Sequence, residues 1–342
     1  MLATTLNDIG VGYRYYRCGQ CGKGQTPALE ELGIRGRTSP LLEEFAVLLG
    51  ADRPFARAMD LLRKLVGGSR LSASTIMRRT EGAGREVLAL EEQKSLAGSW
   101  DLTRKDTLVA SADGCMVNTR QAGWKEVKTG VVQTLNGDRR RYMAHVGGPE
   151  TLGKHIRQEL MSVGAGRAGY HVAVGDGSPW VWRLFHDEYP GAEQVLDYYH
   201  AAEQIHTCGN ALHGEGTSDA RRWSERIKGV LWKKGPGPVL RRLVPARFPR
   251  GRRRKAIRSL LRYIRNNRLR MDYPSFRERG LPEGSGIVES ACKDLVLARL
   301  RLSGCRWNLR AAEEVLGIRS VLMSGLWESF TARRYGLLVP FN

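Results

Sequence analysis

Three acidic residues have the side-chain type and the neighbours that metal-dependent chemistry requires. A short β-prone run at 107–111 leads to Asp113, and an apolar run at 171–175 leads to Asp176. Each aspartate has glycine beside it, which permits a tight turn and close approach of a ligand backbone. Because ligands of open α/β sheets bind beyond the carboxyl ends of the strands, neighbouring strands would bring both carboxylates into one small space.

Two unpaired carboxylates in one space repel each other, and a divalent cation resolves that repulsion. Mg²⁺ takes oxygen ligands and keeps part of its shell for water and substrate phosphate. We therefore expect Asp113 and Asp176 to bind Mg²⁺ or Mn²⁺. The structural alternative is an Asp-Gly pair that only ends a strand.

Glu289 is the third candidate. It lies in the first turn of a helix predicted at 287–302, after a flexible Gly-Ser-Gly entry in which Ser285 could cap the helix. Lys293 follows one turn later on the same face, where it could meet a DNA phosphate; the alternative is a surface Glu289–Lys293 pair. The predicted buried stripe of this helix consists of Ala291, Leu295, Ala298 and Leu302.

Together the three acids could hold two divalent ions. Two ions about 3.5–4 Å apart clamp the attacking and leaving oxygens of an in-line displacement at phosphorus. The chemistry that this pattern favours is phosphodiester cleavage without a covalent protein intermediate.

The charge of the chain is concentrated in one block. The net charge is +20, and residues 221–310 hold 26 Lys/Arg against 6 Asp/Glu, whereas the rest of the chain holds 29 of each. Such a block attracts a polyanion, so nucleic acid is the favoured partner and a solvated basic face is the alternative. The candidate DNA contacts in it are Arg252, Arg253, Arg254 and Lys255. No apolar run is long enough to cross a membrane, and no lipidation signal accompanies the charge.

The region 38–95 reads as three helices. The first begins at Ser39-Pro40 and is predicted to end at Gly50, the second covers about 53–66 and ends at Gly67-Gly68, and the third opens near Ser72. This pattern is typical of a helix-turn-helix unit with Arg78 and Arg79 on its last helix as DNA contacts. A plain helical spacer is the alternative.

From residue 105 the pattern changes to strands. The predicted order is three antiparallel strands at 107–111, 126–135 and 140–146, then a helix at 149–163, a strand at 171–175, a helix at 178–188 and a strand at 193–196. Asn136-Gly137 marks the turn of a hairpin. Right-handed crossovers would make the last two strands parallel to the first, which is the order of a ribonuclease-H-like α/β fold. Basic helices, broken at 235–238, fill 198–280, and a last helix covers about 308–325.

The N-terminal segment contains Cys18-Gly19-Gln20-Cys21. This pair resembles one knuckle of a zinc ribbon, but a structural zinc site needs four ligands. Cys18 and Cys21 are therefore half of a zinc site, or a pair of free thiols. The sparse cysteines suit a reducing compartment.

The motifs around these residues resemble those of the Kra-type DDE transposases of bacterial insertion sequences, over about residues 13–330. The blocks that carry the resemblance are Ser111–Gly114, Val174–Gly177, Leu196–Ala201, Gly284–Lys293 and Gly304–Trp307. The resemblance implies a ribonuclease-H-like core with a helical insertion before the final Glu. It also implies a DNA transposase that uses two Mg²⁺ or Mn²⁺ ions to cut DNA at inverted-repeat ends and join 3′ ends to target DNA. A homo-oligomer on DNA, in the cytoplasm and at the nucleoid of a bacterium, is expected.

The resemblance places Asp113, Asp176 and Glu289 at the metal-binding positions. Asp197 and His200 match an Asp-x-x-His motif with an accessory role; the alternative is a strand-end Asp and a helix-capping His. Arg306 and Trp307 are expected either to contact DNA, as at a flipped base, or to pack the last helix. Members of the family carry a further Cys-x-x-Cys before Cys18, which this sequence does not show, so bound zinc is an open expectation.

The predicted fold is α/β: a ribonuclease-H-like mixed sheet with a basic all-helical insertion, preceded by a small helix-turn-helix-like domain. The predicted segments are a zinc-ribbon-like leader at 1–37, the helical DNA-binding domain at 38–100, the first part of the core at 101–200, the basic insertion at 201–280, the final core helices at 281–330 and a tail at 331–342. Two other functions stay open. One is a nuclease of this fold that cuts without joining, and the other is an inactive DNA-binding relic of a transposase.

Overall fold

A computed structural model describes residues 1–6, 8–34, 37–66, 71–92, 96, 98–243 and 251–335. The predicted helix end at Gly67-Gly68 lies outside the described residues, as does most of the predicted tail. The chain begins with two small hairpins and a short helix: β1 Leu2–Ala3, β2 Asp8–Ile9, β3 Tyr16–Arg17, β4 Gly24–Gln25 and α1 Pro27–Glu31.

Three helices follow, as the sequence predicted: α2 Pro40–Asp52, α3 Phe55–Leu65 and α4 Ala73–Glu92. Ser39 caps α2 by accepting a hydrogen bond from the Leu42 amide, and Pro40 occupies its first turn. The prediction that Gly50 ends this helix is wrong. Gly50 lies inside α2 where α4 crosses it, and a Cβ there would be only 2.2 Å from Thr80 Oγ1. The glycine serves close helix packing and does not terminate the helix.

A five-stranded mixed sheet forms the centre of the molecule, with the order β7-β6-β5-β8-β9. Its strands are β5 Thr107–Thr119, β6 Gly123–Thr134, β7 Arg140–Val146, β8 Tyr170–Gly175 and β9 Glu193–Leu196. The first three are antiparallel neighbours, and β8 and β9 run parallel to β5. The predicted strand order and directions are therefore confirmed. The Asn136-Gly137 turn joins β6 to β7, with Gly137 at a positive φ of 71°.

The strand β5 is longer than predicted. It pairs in parallel with β8 only from Thr107 to Ser111, but its antiparallel pairing with β6 continues to Thr119. The prediction that the strand ends before Asp113 is wrong, because one edge of β5 stops at the predicted place while the other edge goes on. Asp113 thus lies in a strand whose β8 side is open.

Helices cover both faces of the sheet. The crossovers to β8 and β9 are made by α5 Pro149–Ser162 and α6 Pro179–Glu188. Alternation along β6 separates the faces: Gly130 lies against Ile156 of α5, and the next residue, Val131, packs on the opposite side against Val288. A core of apolar side chains from β5, β8, α5 and α6 lies between the layers.

The basic block folds as helices, as predicted. They are α7 Tyr198–His213, α8 Ser218–Lys234, α9 Pro236–Leu243, α10 Arg252–Asn267 and α11 Tyr273–Glu278. Gly235, with φ 71°, separates α8 from α9, so the predicted break is present, although the region contains further breaks. The apolar faces of these helices join the main core through residues such as Ile257, Leu260 and Ile264.

The C-terminal part returns to the sheet. Its elements are α12 Gly286–Ala291, a π-helical segment Cys292–Leu297, α13 Ala298–Leu300, α14 Leu309–Met323 and α15 Trp327–Tyr335. The predicted stripe is correct at Ala291 and Leu295 but wrong beyond them, because Ala298 is exposed and Arg299 and Leu300 are buried instead. The wider π turn advances the buried face by one residue. Among the described residues, no helix combines the length and apolar character needed to cross a membrane.

Candidate functional site

Three aspartates lie level with one another at the carboxyl ends of three neighbouring strands. The last register pair of β5 and β8 is Ser111 with Val174, so Asp113 and Asp176 each come two residues after the end of this pairing, and the charge of Asp176 acts on Asp113. The last pair of β8 and β9 is Gly175 with Leu196, so Asp197 follows Asp176 at the same level. The Asp197 amide donates to the Gly175 carbonyl at 2.8 Å, which fixes this last step. Adjacent strands lie about 4.8 Å apart, so the sheet itself forms a row of three carboxylates, here called the acid row.

Asp113 is the central-strand member of the acid row. Its Oδ1 accepts from the Gly114 amide at 2.7 Å, and its Oδ2 accepts from the Cys292 thiol at 3.6 Å. Burial raises the pKa of Asp113, and the charge of Asp176 adds to that effect. The contact with Cys292 also joins Asp113 to the segment that follows α12.

Asp176 is held by the start of α6. One carboxylate oxygen accepts from the Ser178 amide and the other from the Ser178 hydroxyl, each at 2.8 Å. The next residue, Gly177, has a φ of 98°, a backbone conformation that favours glycine. This turn lets the chain leave β8 with the carboxylate fixed at the strand end.

Asp197 is fully buried and caps α7. Its Oδ1 accepts from the amides of Tyr199 at 2.6 Å and His200 at 3.2 Å, and its Oδ2 accepts from the amide and the hydroxyl of Ser285. Burial alone would raise its pKa, but the contacts with His200 and Ser285 prevail and lower it to about 2. Asp197 is therefore ionised and joins α7 to the loop before α12.

Glu289 projects from α12 towards the same group. Its Oε1 lies 3.2 Å from the Ser285 hydroxyl, whose single proton is directed mainly to the nearer Asp197 carboxylate, and 3.9 Å from His200 Nδ1. Ser285 is the N-cap residue of this helix, as predicted, but its hydroxyl bonds Asp197 and makes no capping hydrogen bond. Ser285 thus connects the β9 end to the Glu289 helix.

His200 lies between two acids. Its Nδ1 is 3.7 Å from Asp197 Oδ2 and 3.9 Å from Glu289 Oε1, distances of ion pairs and not of hydrogen bonds. The neighbouring Asp197 carboxylate is the main reason that the pKa of His200 is raised to about 9. The imidazole therefore carries a positive charge at neutral pH beside Glu289.

Among the described residues, the set of three ligand-type side chains close enough to share one ion is Asp197, His200 and Glu289, whose ligand atoms lie within 4.8 Å of one another. This set contains one predicted ligand and both predicted accessory residues, while Asp113 and Asp176 are outside it. Taken together, Asp113, Asp176, Asp197, His200 and Glu289 offer mostly carboxylate oxygens, which suit a hard divalent cation. Burial, and to a lesser degree the charge of Asp176, raises the pKa of Asp113, and a cation beside this carboxylate would favour its ionised form.

The predicted DNA-contact residues differ in their placement. Most are exposed and available to a large ligand: Lys293, Arg306, Arg78, Arg252, Arg253, Arg254 and Lys255. Arg79 is instead partly buried, with its guanidinium 3.7 Å from the buried carboxylate of Glu43. Trp307 is only 7% exposed and donates its indole N–H to the Leu300 carbonyl. Of the two predicted roles, DNA contact and packing, this placement favours packing.

Cys18 and Cys21 lie in the turn between β3 and β4. The turn is closed by bonds from the Cys18 amide to the Lys23 carbonyl and from the Gly22 amide to the Cys18 carbonyl. Both thiols are exposed, and the Cys21 backbone is the main cause of the lowered pKa of Cys18. In the described part of the chain no further ligand-type side chain joins them in a metal-sized group. The half site predicted from the sequence therefore stays a prediction.

Sequence reasoning does not find the roles of three residues in this region. It assigns Ser285 to a helix cap, and it does not single out Cys292 or Tyr263. The Gly-Ser-Gly pattern offers a signal for Ser285, because a serine between two glycines has room to bond in several directions. Cys292 and Tyr263 have no comparable signal, since their roles depend on groups far away in the chain.

No family model matches this sequence, and no curated protein matches it. Among solved structures, this chain is matched to the Drosophila P element transposase strand transfer complex, with 12% sequence identity and a TM-score of 0.34, over 89% of this chain and 82% of that one. A likeness of this size carries no argument about activity, so function has to be argued from the residues of the site.

Proposed function

We propose that this protein is a DNA transposase of the DDE type that cleaves DNA at the ends of an insertion sequence and joins the 3′ ends to target DNA. One observation carries the proposal. Asp113, Asp176 and Asp197 come just after the ends of the β5–β8 and β8–β9 pairings, and Glu289 Oε1 lies 3.2 Å from the Ser285 hydroxyl and 3.9 Å from His200 Nδ1, which supports the proposal. Carboxylates gathered at neighbouring strand ends beside a basic block suit metal-dependent chemistry on a phosphodiester.

Each group has a distinct task in this proposal. Asp113, Asp176 and Glu289 hold two Mg²⁺ or Mn²⁺ ions, and Asp197 keeps Ser285 and His200 in place without reaching the substrate. When bound, the ions activate the attacking oxygen and stabilise the leaving 3′ oxygen. Exposed cations of α10 and Lys293 bind the DNA backbone and orient it for in-line attack. His200, charged beside Glu289, attracts the phosphate and opposes the repulsion among the acids.

The nuclease step is tested by nicking of a supercoiled plasmid with Mg²⁺ or Mn²⁺. We expect Asp113→Asn, Asp176→Asn and Glu289→Gln each to lower the nicking rate by at least ~100-fold, because each removes part of the metal's charge environment. The matched control is Asp187→Asn, which changes an exposed carboxylate on α6. Normal nicking by Asp113→Asn would overturn the assignment.

Joining separates the proposed function from its two alternatives. A labelled oligonucleotide with a free 3′ hydroxyl, incubated with a target plasmid, should become covalently attached to the plasmid if strand transfer occurs. Nicking without attachment would favour a nuclease of the same fold. Tight DNA binding with no metal-dependent nicking would favour an inactive DNA-binding relic.

A further inference from the structure

The hydroxyl of Tyr263 is an unused donor beside the acid row. Tyr263 lies on α10, and its hydroxyl oxygen is shielded from solvent and has no hydrogen-bond partner in the described part of the chain. A buried hydroxyl without a partner is costly, and most such groups are paired. The Tyr263 hydroxyl is therefore available to donate a hydrogen bond to a ligand of the site.

The position of this hydroxyl identifies the kind of partner. A Cβ on Gly177 would lie only 3.1 Å from it, so the hydroxyl lies close to the turn that carries Asp176. Burial is the main cause of the raised pKa of Tyr263, and the charges of Asp176 and Asp197 add to it. The hydroxyl therefore keeps its proton and lies near the negative charges of Asp176 and Asp197. A protonated hydroxyl in such a place can donate a hydrogen bond to an anionic oxygen.

The rest of the helix anchors Tyr263 firmly. Ile257, Leu260 and Ile264 are buried on the inner side of α10, and the Tyr263 carbonyl accepts from the Asn267 side chain at 3.0 Å. On the outer side the same helix presents exposed arginines. Tyr263 is thus the place where the basic insertion reaches the acid row.

Resting on the proposed function, we infer that Tyr263 is a positioning residue of the site, whose hydroxyl donates a hydrogen bond to an anionic oxygen at the Asp176 end of the acid row once the site is loaded. That oxygen belongs either to the Asp176 carboxylate, as it turns to hold a metal ion, or to a phosphate of the DNA. The inference links α10 to the site through a single donor.

Tyr263→Phe removes only this hydroxyl, and Tyr273→Phe is the matched control. The Tyr273 hydroxyl is also buried, but it already donates to the Leu196 carbonyl at 3.1 Å. In the metal-free protein we expect Tyr263→Phe to unfold at the same or a higher temperature than the wild type, since it deletes an unpaired group. Tyr273→Phe should unfold at a lower temperature, since it deletes a hydrogen-bonded one.

The functional measurements are Mn²⁺ affinity, by titration calorimetry on the full chain without DNA, and plasmid nicking at saturating metal. If the acceptor is Asp176, Tyr263→Phe should bind Mn²⁺ about tenfold or more weakly. If it is a DNA phosphate, Mn²⁺ affinity should be unchanged and the nicking rate should fall by about tenfold or more; hydrogen bonds to charged groups have effects of this order. Tyr273→Phe should change neither quantity once its lower stability is allowed for.

Two results would overturn the inference: Mn²⁺ affinity and nicking both equal to wild type in Tyr263→Phe, or a lower unfolding temperature for that variant without metal. Either could occur while Asp113→Asn still abolishes nicking, in which case the proposed function stands and only the role of Tyr263 fails. Absence of Mn²⁺ binding by the wild type would instead overturn both.

Discussion

The position of each carboxylate in the acid row is set by the register of the hydrogen-bonded strands. Asp113 and Asp176 share the offset that relates Ser111 to Val174, and Asp197 continues it on β9. Side chains on parallel strands at one level face the same side of the sheet, so a slip of one residue in either register would turn a carboxylate to the opposite face. The geometry of the row is therefore specified by the registers of these strands.

The charge of His200 offers a direct test of the row at residue level. In the wild type we expect the NMR titration of His200 to have its midpoint near pH 9, because the Asp197 carboxylate raises the pKa from its ordinary value of 6.5. In Asp197→Asn that midpoint should fall towards 6.5. An unchanged midpoint would show that Asp197 is not the cause, and Asp187→Asn, on the exposed side of α6, should leave the titration as it is in the wild type.

The sign of the pH dependence follows from the two shifts. The stabilisation that His200 contributes is fully present below pH 6.5 and is lost as the pH rises through about 9, because its folded pKa is raised. The contribution of Asp197 is present above its ordinary value of 3.8 and is lost as the pH falls through about 2. Urea unfolding from pH 6 to 10 should therefore show wild type losing stability relative to Asp197→Asn as the pH rises.

At the level of elements, the sequence predicted helices and strands well where they have strong local signals. The Asn136-Gly137 turn, the proline start of α2, and the strand that ends before Asp197 all agree with the structure. These signals act on the backbone of the residue itself, so they do not depend on distant parts of the chain. The fold class and the strand order could therefore be predicted from them.

The failures have a common physical cause, which is that a distant element decides the outcome. Gly50 suggested a helix end, but α4 passes so close that only glycine fits inside α2. Ser285 suggested a cap, but Asp197 offers its hydroxyl a stronger, charged acceptor. The π turn after Ala291 moved the buried stripe onto Arg299, and no simple periodicity includes such an insertion. The approach of Glu289 to His200 was equally invisible, because it requires two helices that are distant in the chain to meet.

At the level of elements, the π turn places the side chain of Arg299 in the buried face of the helix. That side chain is 2% exposed, donates twice to the Gly50 carbonyl and lies over the rings of Phe55 and Trp307, which also contact each other. It thereby joins the helical unit to the end of the Glu289 helix. Burial lowers its pKa to about 10, so it is still charged at neutral pH.

We expect Arg299→Ala to lower the free energy of unfolding by about 2–4 kcal/mol, because it leaves a buried carbonyl unpaired and opens a cavity beside the two rings. Arg258→Ala, which truncates an exposed arginine of α10, should change it by less than about 0.5 kcal/mol. Urea denaturation measures both. Equal, small effects would mean that the junction between the two units is not held by Arg299.

At the scale of the whole molecule, the basic block has an apolar side that is buried and a charged side that is exposed. The helices of the basic block turn their apolar faces into the main core, and their exposed Lys and Arg side chains lie outside. On α10 a shallow groove is lined by Arg254, Lys255, Arg258 and Arg262. Arg254, Arg258 and Arg262 are four residues apart, so they follow one another along the same side of the helix, about 6 Å apart. A ladder of this kind suits a chain of phosphates, and the same helix carries Tyr263 to the acid row.

Replacing the three ladder arginines together with glutamine should weaken DNA binding in a specific way. Removing one cation that binds a phosphate should reduce the slope of log affinity against log salt by about 0.9, so the triple variant should have a slope smaller by roughly 2 to 3 and should approach wild type at high salt. Fluorescence anisotropy with a labelled duplex at several salt concentrations measures this. The control replaces three exposed cations outside the basic block, Lys105, Lys154 and Arg183, with the same decrease in net charge. An equal decrease of slope in both variants would mean that only net charge attracts the DNA; a decrease confined to the ladder variant would place the DNA strand along α10, on the helix that carries Tyr263 to the acid row.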